Sequence, residues 1–99
     1  MIQRLAGIFI ALPIVAWGSS EDAWQEFRIA VDQSCRGLIE APSSAKITVE
    51  VNPFGSESYG AAVVTVASGK GRDRMICIYD KQAGEAEVTA PFTDAAAGN

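Results

Sequence analysis

One stretch, Glu21 to Glu40 (EDAWQEFRIAVDQSCRGLIE), restricts what this chain can fold into more than any other. Trp24, Phe27, Val31, Cys35 and Leu38 recur at steps of three and four, so they stack along one side of a helix. Asp22, Glu26, Gln33, Arg36 and Glu40 fall on the opposite side. A helix with a single apolar stripe must press it against something, and the residues that follow read as strands able to receive it. Ser19 and Ser20 are N-cap residues, and Glu21 with Asp22 place negative charge where the helix dipole favours it. Gly37 weakens the last turn, and Pro42 ends the helix at or before Ala41. Ile29 is the misfit, an apolar residue among the polar positions.

Beyond Pro42 the period changes to two. Ile47, Val49 and Val51 alternate with Lys46, Thr48 and Glu50, the pattern of a half-buried strand. Asn52-Pro53-Phe54-Gly55-Ser56 breaks it with turn chemistry. Tyr59 to Ser68 is almost continuously apolar and rich in valine, which predicts a central strand covered on both faces. Ser68 to Asp73 reads as a turn, so Arg74 to Asp80 should return antiparallel. After a second turn at Asp80 to Gly84, Glu85 to Ala90 reads as an edge strand, guarded by its charges and by Pro91. The expected fold class is α+β: one N-terminal helix packed on a four-stranded antiparallel meander sheet, held by one disulfide.

The disulfide follows from the amino end. Met1 to Ser20 carries one cation, Arg4, then an apolar run from Leu5 to Trp17, then small residues. That is the layout of an export signal, with Ala16 and Gly18 suited to a cut after Gly18. As a membrane span the run is short of the ~20 residues needed, and Pro13 interrupts it. Residues 1–18 are therefore read as a signal peptide, 19–92 as the domain and 93–99 as a flexible tail. A retained anchor is the competing reading of the first segment; after cleavage no stable membrane span is expected. The layout is shared by bacterial and eukaryotic signals, and the one-domain plan favours a bacterial periplasm; periplasmic or secreted is the expected location.

An exported chain meets an oxidising compartment, and Cys35 and Cys77 are its only cysteines, so they permit a single intramolecular pairing. Closing the chain between them is worth ~4 kcal/mol on the chain-entropy model, comparable with the whole net stability of a small domain. A redox pair usually has CxxC spacing, and a metal site needs more ligands than two. If Cys77 faces the helix, Met75 and Tyr79 share that face, and Ile76 and Ile78 look away, beside Val63 or Val64. Such an apolar patch is either covered by loops, by the tail or by the Asn52 to Ser58 segment, or it is a surface for self-association or a ligand.

Cys35, then Leu38, then Ala41-Pro42-Ser43-Ser44-Ala45-Lys46 resembles a pattern in small exported bacterial and phage-borne proteins of unassigned function. In these a helix cysteine precedes a Pro-Ser-Ser/Thr-Ala-Lys turn, and a strand region ends in a second cysteine. Phe54-Gly55 is similar to a pair such proteins carry before their central strand. Ile47 stands where an aromatic residue commonly follows the lysine. The resemblance implies the order helix, turn, sheet, and implies no activity.

The residue inventory disfavours an enzyme. The chain has no histidine, the commonest general base and metal ligand. Its 12 carboxylates yield pairs, such as Asp22 with Glu26 and Glu85 with Glu87, but no apolar setting to split their roles. Ser44 lacks any activating partner except Lys46. Ser68-Gly69-Lys70-Gly71 precedes a strand and not a helix, so it fails as a phosphate loop. No catalytic residue, metal or cofactor is expected. A formal net charge of −4 argues against nucleic acid as a partner. Lys70, Arg72 and Arg74 form a small basic cluster. They read as a solvated turn partly cancelled by Asp73, or as a holder for an anionic headgroup or an acidic patch on a protein. The expectation is a small protein-binding or inhibitory module of the bacterial envelope, contacting another protein through Ile76, Ile78, Lys70, Arg72 and Arg74. The alternative is a structural domain that forms a homodimer through the same face.

Overall fold

The computed structural model describes residues 20–92. The expected signal peptide (residues 1–18), Ser19 of the expected domain and the expected tail (residues 93–99) lie outside the described residues. Helix α1 spans Glu21–Gly37, followed by β1 (Lys46–Val51), β2 (Tyr59–Ser68), β3 (Gly71–Asp80) and β4 (Glu85–Val88). The strands form one antiparallel sheet in the order β1-β2-β3-β4, with α1 across one face. The chain is thus an α+β meander of two layers.

Local chemistry explains the start of the helix. Ser20 has extended backbone and its hydroxyl accepts from the Ala23 N–H at 3.0 Å, satisfying a donor that has no partner within the helix. Glu21 and Asp22 occupy the first turn and Arg36 the last, both signs matching the helix dipole. The far end differs from the periodicity. The helix stops at Gly37, Leu38 becomes its C-cap, and Leu38 is 41% exposed instead of continuing the stripe. Once the backbone leaves helical geometry the 3.6-residue spacing no longer applies, and Ile39 takes the packing position.

The core between the layers consists of Val31 and Cys35 from the helix, Ala62 and Val64 from β2, and Met75 and Cys77 from β3. Cys35 and Cys77 form a disulfide across a sequence separation of 42, with their α-carbons 6.0 Å apart. Both are fully buried, so the covalent link lies in the middle of the apolar contact and not at its rim. Phe27, Ile47, Val49, Val51, Val66, Tyr79, Ala86 and Val88 complete the layer. Every strand sends its alternate residues towards the helix, as the period of two requires.

Three strand expectations are corrected. The hairpin turn is Gly69-Lys70 alone, since Ser68 already pairs with Gly71. Strand β3 therefore begins at Gly71 and not Arg74, because pairing with Val66, Ala67 and Ser68 recruits a polar segment that sequence preference leaves as loop. Strand β2 is interior to the sheet but, among the described residues, is covered on one face only; Val63 on the other face is 36% exposed. Strand β4 ends at Val88, two residues early. There the Thr89 hydroxyl accepts the Ile76 N–H at 3.0 Å while the Thr89 N–H donates to the Ile76 carbonyl at 2.9 Å. Pairing resumes where the Phe92 N–H donates to the Arg74 carbonyl at 2.7 Å. The extra residue on the β4 side of the ladder makes a bulge beside Pro91, which has no N–H to offer.

Candidate interaction surface

The sheet face turned away from the helix brings together most of the residues singled out in the sequence. On β3, Arg72, Arg74, Ile76 and Ile78 follow one another at steps of two, so all four lie on this face. Cross-strand register sets Val63 against Ile76, Ala61 against Ile78, Thr65 against Arg74 and Ala67 against Arg72. The neighbouring columns add Glu50, paired with Val63, and Glu87, paired with Ile78. The result is an apolar centre of Val63, Ile76 and Ile78, with carboxylates on the outer strands and two arginines towards the β2–β3 hairpin. Lys70 lies at the tip of that hairpin, exposed.

Strand alternation decides the fate of the basic cluster. Asp73 sits between Arg72 and Arg74 in sequence but on the opposite face, so it does not lie between them on this surface. The two arginines belong to a strand and not to a turn. Two guanidinium groups at a step of two on one sheet face concentrate positive charge beside the apolar centre. Val64 is fully buried under the helix, so Val63 and not Val64 neighbours the isoleucines.

Among the described residues, no helix or strand lies over this face. Of the Asn52 to Ser58 segment, Asn52 and Pro53 border this face. Phe54 turns to the helix side, where its ring meets Trp24 edge-on with centroids 4.9 Å apart. A shallow depression of ≈ 260 Å³ remains on the open face, lined by Glu50, Asn52, Pro53, Ala61, Val63 and Ile76. It is apolar at its floor with one carboxylate at its edge.

A second cluster escaped the sequence reading. Lys81 sends its ammonium over the rings of Phe27 and Trp24, at 5.0 and 5.2 Å from their centroids. The same Nζ donates to the carbonyls of Phe54 (3.0 Å) and Ser56 (2.7 Å). Arg28 adds a hydrogen bond to the Pro53 carbonyl at 3.1 Å and an ion pair with Glu21 at 2.6 Å. The loop is organised from within as well: Asn52 Oδ1 accepts from the Gly55 N–H at 2.8 Å, and Gly55 adopts φ +71°. A Cβ at Gly55 would run into the Tyr59 carbonyl oxygen. Phe54 was the available signal, since a large apolar side chain in a turn needs a surface to rest on. Lys81, hidden in a turn remote in sequence, gave none.

Among the described residues, no group of three His, Cys, Asp or Glu side chains is placed to hold a metal ion. No helix among them is long and apolar enough to cross a membrane. Fold and surface together define a small disulfide-linked domain, one helix on a four-stranded meander, with one sheet face open. Compared with known proteins, the chain matches no family model, no curated protein and no solved structure.

Proposed function

We propose that this protein is an exported protein-binding module, of the kind that docks on or inhibits a component of the bacterial envelope, and that it binds through the open sheet face. The observation that carries the reading is the placement of Val63 with the half-buried Ile76 and Ile78 on the face that no described helix or strand covers, with Arg72 and Arg74 alongside. An apolar centre bordered by charge is the composition of protein interfaces, in which desolvated residues supply affinity and the charged border supplies orientation. The internal disulfide is compatible with an oxidising compartment, periplasmic or extracellular. A partner with an apolar ridge and flanking acidic groups would suit this surface.

A photo-crosslinking residue placed at Ile76 should capture a discrete envelope protein, and Ile78→Asp should abolish that product while leaving the disulfide and secondary structure intact. Capture that is unchanged in Ile78→Asp, or equal from a probe at the helix-exposed Gln33, would remove the open face from consideration. The second reading is self-association through the same face. It predicts a homodimer in light scattering that becomes monomeric in Ile78→Asp, with crosslinks only between copies of the chain.

A further inference from the structure

We infer that the outer edge of β1 is a seam at which a second copy of this chain adds antiparallel, continuing the sheet across a two-fold axis at Thr48. The two edges of the sheet are unlike. The β4 edge is four residues long, carries Glu85 and Glu87, and ends in the bulge at Thr89 and Pro91. Each of these features discourages pairing with another strand. Strand β1 is six residues long, KITVEV, with neither proline nor bulge.

The direction of its backbone groups is set by two hydrogen bonds. The Asn52 N–H donates to the Ala61 carbonyl at 2.8 Å, which makes that pair hydrogen-bonded. By alternation Glu50, Thr48 and Lys46 also bond inward to β2, and Ile47, Val49 and Val51 present their N–H and carbonyl groups outward. Arg36 confirms the parity, donating from outside to the Ile47 carbonyl at 3.3 Å. That carbonyl retains a second lone pair.

Charge selects the partner and the register. Lys46 and Glu50 are exposed on the same face of β1, four residues apart, and neither makes an ion pair among the described residues. In an antiparallel pair centred on Thr48, Lys46 of each copy stands opposite Glu50 of the other. Ile47 stands opposite Val49, and the outward-facing residues meet as hydrogen-bonded pairs. Opposite charges directly across strands attract, whereas a shift of register by two would remove the match. The axis is perpendicular to the sheet, so both open faces remain exposed on the same side. The seam therefore does not depend on the partner-binding reading.

The test is a charge swap on the disulfide-bonded protein, followed by sedimentation over a concentration series. Lys46→Glu and Glu50→Lys should each weaken the dimer about tenfold or more, since each turns two attractions into two repulsions. The double variant should restore wild-type association. Thr48→Cys should form an intermolecular disulfide on oxidation, because residues facing each other in a non-hydrogen-bonded pair lie within bonding range. Thr65→Cys, one strand inward on the same face, should not. A wild-type chain that stays monomeric up to about 1 mM would overturn the seam. So would a dimer indifferent to both charge reversals, or one lost in Ile78→Asp.

Discussion

Gly60 lies directly beneath the side chains of Phe27 and Val31 of α1. A β-carbon there would stand 2.8 Å from Phe27 Cζ and 3.0 Å from Val31 Cγ2, both core side chains of α1. The residue is buried, and its φ is unexceptional, so contact and not backbone freedom requires glycine. Gly60→Ala should therefore cost about 1–3 kcal/mol through overpacking, read as a lower urea midpoint with an unchanged slope. Phe27→Leu in the same background should recover part of the loss by withdrawing the ring. The sequence placed Gly60 within a strand, but nothing in Tyr59 to Ser68 reveals which residue lies under Phe27. That depends on how far the helix slides along the sheet.

At the scale of elements, the loop between β1 and β2 is tied down by side chains from other parts of the chain. It is held from outside by Lys81 and Arg28 and from inside by Asn52, Gly55 and Ser56, whose N–H donates to the Tyr59 carbonyl at 2.7 Å. Lys81→Met keeps the apolar stem and removes the ammonium. It should cost about 1–2 kcal/mol through the lost charged hydrogen bonds and ring contacts. Amide exchange at Gly55 and Ser56 should accelerate more than exchange in β3. Uniform acceleration would mean that Lys81 serves global stability and not the loop. The elements were legible in their periods: three-and-four spacing for α1, two for β1, an unbroken valine-rich run for β2. Their ends were less so. The helix lost Leu38 to a cap, and β3 gained Gly71 to Asp73 because a partner strand supplied hydrogen bonds that local preference does not anticipate. The apolarity of β2 predicts burial on both faces. In fact one face meets the helix, and the other is the surface on which partner binding is proposed.

For the whole molecule, the disulfide is the dominant long-range constraint. It joins the helix to the third strand through the centre of the core and shortens the unfolded chain between them. Reduction, or Cys35→Ala with Cys77→Ala, should lower unfolding free energy by about 2–4 kcal/mol. The measurement is chemical denaturation with and without reductant. An unchanged midpoint on full reduction would show that the packed layers alone maintain the fold. What sequence determined was the order and type of the elements, the faces of helix and strands, and the identity of the two bonded cysteines. Those follow from local periodicity and from there being no other thiol to pair. Which surfaces were left over was decided only in three dimensions. Strand alternation put Arg72 and Arg74 beside Ile76 and Ile78 and moved Asp73 away, while Phe54 of the 52–58 loop turned towards Trp24 and no described helix or strand covered the other face. Register and loop direction are set by contacts between residues distant in the chain, and such contacts leave no period to read.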